Sequence, residues 1–255
     1  MGFCVSLGAK AEIELADELK IILNGKEEDA PVTRKAMEIM APDQGAVVRI
    51  AHDLPMSQGF GMSAAGTFAA CLALAVYLDI PDPKYAALKV THISEVRNQT
   101  GLGDAVAQSI GGFVHRVEPG IPPHGEFERL ELHVDEVVLC VLGENISTSE
   151  IISSPERRGR IRDSGHACLK DFEIDLDLAS FINTSWAFAR DSGLATNDMI
   201  DALKEIKDIG QGSMVMLGNS IFAFGDADAL EDKLKNFGQV FRTKVCQSGA
   251  TIAQL

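Results

Sequence analysis

Apolar and polar residues alternate from the start of the chain: Phe3, Val5, Leu7, Ala9, Ala11, Ile13 and Leu15 interleave with Ser6, Lys10, Glu12 and Glu14. A period of two predicts a half-buried strand that begins almost at the first residue. "LKIILNG" reads as its hairpin partner, ending in the turn dipeptide Asn24-Gly25. Pro31 to Met40 predicts a helix with proline at its start. "GAVVRIAHDLP" gives another strand, stopped by Pro55. Helices follow at about 63–78 and 83–99, then strands near 112–117 and 126–133. From "VDEVVLCVLG" onward the pattern turns helix-rich, with helices at about 155–170, 175–191, 196–208 and 227–237. Strands near 213–224 and 239–246 punctuate them. The change of pattern places a boundary near Asp135, giving domains over 1–135 and 136–255 with no low-complexity linker. The expected architecture is two-domain α+β, its second half packing helices on one face of a sheet.

Composition narrows the function without naming it. Over 255 residues, 46% hydrophobic and 24% charged content is that of a soluble globular protein. A net charge of −14 excludes nucleic acid and anionic membrane surfaces as partners, since both repel it. A local cationic pocket still admits an anionic small molecule. Five cysteines (Cys4, Cys71, Cys140, Cys168, Cys246) never form a C-x-x-C pair and read as reduced thiols of a cytoplasmic protein. The apolar stretch Ala64 to Leu78 is too short for a membrane span.

"LPMSQGFGMSAAGTFAAC" carries the chemistry. Gly59, Gly61 and Ala64 fit the dinucleotide pattern G-x-G-x-x-A, with Asp79 placed 18 residues after Gly61. The context contradicts that reading. "HDLPMSQ" separates the glycines from the strand before them, and Asp79 ends a helix instead of a second strand. A tight packing turn is the plain alternative. "GMSAAG" favours a phosphate cradle, because small side chains let an anion reach the unpaired N–H groups of a helix N-terminus. A hydroxyl there, Ser63, can also ligate Mg²⁺; with no lysine after the glycines, the loop is not a Walker loop.

Farther on, His92, Glu95, Arg97, Asp104 and Arg116 fall within 25 residues. His92 and Glu95, three apart, share a helix face, and the break "NQTGLGD" delivers Asp104 to the start of another helix. Spacing alone leaves two readings open: a cap and a solvated carboxylate, or a catalytic pair. Arg97 is accounted for by a surface ion pair. The remaining histidines (His52, His115, His124, His133, His166) show no metal-ligand spacing.

"LPMSQGFGMSAAG" resembles the second motif of the GHMP kinases, P-x-x-x-G-[LF]-G-x-S-[SA]-A. Three further blocks, "HISEVRNQTGLGDAVAQSIGGFVHRVEPGIPPHG", "ENISTSEIISSPERRGRI" and "GSMVMLGNSIFA", are similar in order to the archaeal pantoate kinase family. The resemblance implies a two-domain GHMP kinase fold: an N-terminal α/β domain with a left-handed βαβ unit and a C-terminal ferredoxin-like α+β domain. It implies ATP-dependent phosphorylation of (R)-pantoate to (R)-4-phosphopantoate, in coenzyme A biosynthesis. Pro55, Gly59, Phe60, Gly61, Met62, Ser63, Ala64 and Ala65 would then hold the nucleotide phosphates. Ser63 and Glu95 would hold Mg²⁺, Asp104 would act on the substrate hydroxyl, and His92, Arg116 and Thr148 would bind pantoate. Gly212, Ser213 and Gly218 occupy the family's third motif, expected to line the active cleft. Family habit suggests a homodimer. Alternatives are another GHMP small-molecule kinase of homoserine or mevalonate type, or a catalytically silent relative. The family's Gly-Ser-rich first motif precedes the strand that "GFCVSLGAKAEIEL" resembles, so an incomplete first strand, weaker pantoate binding and lower stability are expected of the chain as written.

Overall fold

The computed structural model describes residues 1–100, 103–144, 151 and 154–253. These residues divide into two compact units. The first comprises Gly2–Pro55, Gly61–Arg129 and Cys246–Leu255; the second comprises Met1, Met56–Phe60 and Leu130–Val245.

In the first unit, β3 (Lys20–Leu23), α1 (Pro31–Met40) and β5 (Gly45–His52) form a parallel βαβ unit. β2 (Ala9–Ala16) lies antiparallel along β5, in register from Ala9 opposite His52 to Ala16 opposite Gly45. β4 (Lys26–Glu27) closes the order β2-β5-β3-β4. A three-stranded sheet β1-β6-β7 is built from Gly2–Phe3, Phe113–Glu118 and Glu126–Leu130. The core forms around α2 (Met62–Tyr77), whose apolar residues run round the whole helix and so belong inside a unit. Ala64, Phe68, Cys71 and Leu74 of α2 pack with Val48, Ile50, Ala36 and Ala87. α3 (Pro83–Asn98) starts at Asp82, whose carboxylate accepts from Tyr85 N at 3.2 Å, and α4 spans Asp104–Ile110. α2, α3 and α4 pack mutually.

In the second unit, β8 (Val137–Val141), β9 (Gly210–Val215), β10 (Ser220–Gly225) and β11 (Gln239–Thr243) form a sheet of order β11-β8-β10-β9, antiparallel throughout. α5 (Pro155–Phe172), α6 (Leu178–Asp191) and α7 (Asn197–Glu205) lie between β8 and β9 in sequence, and α8 (Ala227–Leu234) between β10 and β11. That order and connection is the ferredoxin-like arrangement.

Several expectations change. The first strand is two, because Gly2 and Phe3 pair with Val114 and Phe113 in a different sheet from β2. β3 is not the hairpin partner of β2: both flank β5, and the Asn24-Gly25 turn joins β3 to β4 instead. The strand expected over 213–224 is a hairpin turning at Met216–Asn219. Helices do not cover one sheet face alone. Ile221 and Ala223 pack with Met199, Leu230 and Leu234, while the alternating Phe222 meets Phe181 at a ring distance of 6.2 Å. The units are also not contiguous halves meeting at Asp135. The C-terminal tail joins the first unit through main-chain bonds from Cys246 N to Cys4 O (2.8 Å), Gly112 N to Cys246 O (2.7 Å) and Ala250 N to Gln108 O (2.7 Å).

Candidate active site

The glycine loop is held differently at its two ends. In the second unit, Gln58 is only 3% exposed, and its side chain is fully engaged. Its Nε2 donates to Gly143 O at 2.9 Å, and its Oε1 accepts from Asn219 N and Ser220 Oγ, each at 3.2 Å. Gly59, at φ 84°, lies so close that a Cβ would come within 2.6 Å of Val215 O. A Cβ on Gly218 would overlap the Gln58 carbonyl. A Gly218→Ala protein is therefore expected to lose about 1–3 kcal/mol of stability through steric overlap, read as a lower urea midpoint.

In the first unit, Gly61 (φ 66°) is the N-cap of α2, and no side chain caps the helix. An uncapped first turn leaves the N–H groups at a helix N-terminus without a partner inside their own helix. Met62 and Ala64 themselves point into the core, at 5% and 0% exposure, so they can offer backbone only. A Cβ on Gly61 would lie 3.0 Å from Asp104 Cβ and 3.1 Å from its Cγ. The end of the loop therefore rests on the side chain of Asp104, at the first position of α4.

Around Asp104 the charges are coupled. Glu95, on α3, is 2% exposed. Burial, and next the charge of Asp104, push its carboxyl up to about 8. Burial raises Asp104 to about 6, against the pull of Arg116. Arg116, on β6, donates from Nη2 to Gly120 O at 3.0 Å. Burial lowers the pKa of Arg116, with Asp104 opposing the shift. His92, one helical turn before Glu95, is lowered by burial and then by Arg116. Gly103 makes the arrangement possible: at φ 109° it suits glycine alone, and a Cβ there would overlap Arg116 Nη1. The fold thus brings Gly61, Glu95, Asp104, Arg116 and His92 together within one unit, with Ser63 in the first turn of the helix that Gly61 opens.

Other expected residues fare differently. Pro55 and Phe60 are half-buried on either side of the turn. Thr148 lies outside the described residues. Arg97 is exposed on α3. Ser213 is fully buried, and a Cβ on Gly212 would overlap Phe222 O. Gly218 serves to admit the backbone of Gln58. Two residues had escaped notice, Gln58 and Gln108. Gln108, spaced i+4 from Asp104, donates from Nε2 to Gly61 O at 2.9 Å.

Fold and loop together define a GHMP kinase: residues 30–112 match the GHMP kinases N terminal domain. A solved phosphotransferase related to the CoA biosynthesis pathway superposes with a TM-score of 0.85 at 23% identity, covering 96% of this chain and 85% of that one. The pantoate kinase of Methanospirillum hungatei JF-1 is 33% identical over 230 residues, 89% of this chain and 75% of the relative. That of Methanocaldococcus jannaschii is 32% identical over 182 residues, 71% of this chain and 66% of the relative. The chain belongs to the pantoate kinase family.

Proposed function

We propose that this chain transfers the γ-phosphoryl group of ATP to the terminal hydroxyl of (R)-pantoate, giving (R)-4-phosphopantoate. The observation that carries the reading is the seating of Gly61 on Asp104, which sets an uncapped helix N-terminus beside a carboxylate of raised pKa. The first-turn amides of α2 bind phosphate oxygens, and the small side chain of Ala65 leaves room for them. Asp104 accepts a hydrogen bond from the acceptor hydroxyl, orienting its lone pair in line and taking its proton as the bond to phosphorus forms. Arg116 offers a guanidinium fork to the pantoate carboxylate. His92, kept neutral by burial and by Arg116, supplies a further polar contact.

Mg²⁺ fits the residues present. Ser63 Oγ and the Glu95 carboxylate are hard oxygen donors, and one or two protein ligands are what this ion takes when phosphates complete its shell. The buried Glu95 carboxylate and that of Asp104 also repel one another, a conflict that a cation relieves. Bound there, Mg²⁺ would neutralise charge on the transferring phosphate. The same reading makes the chain a cytoplasmic homodimer acting on a small molecule. Among the described residues no helix is long and apolar enough to cross a membrane.

An ADP-release assay with (R)-pantoate, homoserine and mevalonate tests the proposal. Turnover with pantoate alone, abolished by EDTA and restored by Mg²⁺, is the expected result. Preference for either other acceptor would overturn it.

A further inference from the structure

Gln108 is assigned no chemistry above, yet it lies on the helix that Asp104 opens and its side chain bonds the end of the glycine loop. It stands one turn beyond Asp104 on the same face of α4. Its Nε2 donates to Gly61 O, which also accepts the first α2 bond, from Ala65 N at 2.9 Å. That acceptor fixes the amide orientation, since the reverse would set two oxygens against each other. Its Oε1 is buried and takes no hydrogen bond among the described residues. A Cβ on Gly61 would lie 2.9 Å from Gln108 Nε2, a close approach matched by the one to Asp104. A buried amide with its acceptor unmet is costly, and an apolar side chain of equal length would fill the same space. The amide is therefore explained by what its donor holds.

We propose that Gln108 is a positioning residue for phosphoryl transfer: its amide sets the spacing between the end of the phosphate loop and the carboxylate of Asp104. The inference rests on the kinase reading above. Transfer requires the γ-phosphate and the acceptor hydroxyl in line at near-contact distance. The loop holds the first and Asp104 orients the second, and Gln108 is a side-chain tie between the loop and the helix that carries Asp104. Without its donor, α2 and α4 keep their packing but the separation of their N-terminal ends is no longer pinned. Such an error falls on the transfer step more than on the affinity for either substrate.

The test is steady-state kinetics of the full chain with ATP, Mg²⁺ and (R)-pantoate, comparing the parent with Gln108→Met and Gln108→Glu. Met keeps the length and the helix preference and lacks the donor; Glu sets an acceptor against Gly61 O. For Gln108→Met, kcat should fall about 30- to 100-fold, the range a misplacement of about an ångström produces, with both KM values within about threefold. Gln108→Glu should be slower still. Titration with ATP on the same samples counts folded sites, so a loss of fold is separated from a loss of rate. A Met variant keeping more than half of the parental kcat, or losing efficiency through KM alone, would overturn the proposal. A parent that turns over no acceptor overturns the kinase reading and this inference with it. An active parent with an unaffected Met variant overturns this inference alone.

Discussion

An Asp104→Asn enzyme is expected to turn over pantoate about 10³-fold more slowly than the parent, with little change in KM for ATP. Asn keeps the shape of the side chain and the seat beneath Gly61, so the loop and α2 are undisturbed. The change removes an acceptor for the hydroxyl proton and the negative charge facing Arg116. Loss of that charge also removes one cause of the raised Glu95 carboxyl, which should ionise more readily in the variant. The kcat term falls because the missing contact is strongest as the hydroxyl oxygen attacks. Separate measurement of kcat and KM, with ATP affinity by calorimetry, checks this. A variant losing only pantoate affinity would instead place Asp104 in substrate binding.

Glu95→Gln is expected to lose at least about 100-fold in kcat while becoming more stable in the absence of metal. The folded protein holds the Glu95 carboxyl at about 8, above its ordinary value of 4.5. A raised carboxyl favours folding fully below the ordinary value and loses that advantage as pH climbs to the folded one. Metal-free parent should therefore melt at progressively lower temperature from about pH 4.5 to about pH 8. Asp104, raised to about 6, adds a contribution of the same sign at the lower end of that window. Gln carries no charge into the core, so the variant should gain roughly 1–3 kcal/mol near neutral pH and show a flatter pH profile. Melting curves in EDTA across that range, with and without added Mg²⁺, check both parts. Parallel slopes for parent and variant would contradict the assignment of the strain to Glu95.

What could be read from the sequence follows from which forces are local. Pro31 opens α1 where the proline placed it, and the glycine loop runs into α2. The acid cluster was legible as a site through the family resemblance and not through spacing. Spacing left Asp104 open between a helix cap and half of a catalytic pair, and neither its close approach to Gly61 nor its charge coupling to Glu95 is written in the spacing. Errors arose where the partner is distant in sequence. Phe3 pairs with Phe113, and Cys246 N bonds to Cys4 O through main-chain atoms that leave no side-chain signature. Ser213 belongs to a recognisable block, and its full burial in β9 is not visible in the sequence. Gly103, in the "GLG" preceding Asp104, is what lets Arg116 lie across the backbone.

Single-turnover transfer of label from γ-³²P ATP, with enzyme in excess over pantoate, tests the central claim most directly. With Mg²⁺ present, the parent should place the label on pantoate as its terminal phosphate ester, and Asp104→Asn should do so about 10³-fold more slowly. Label released to water without a pantoate ester, or transferred equally fast by both proteins, would contradict it.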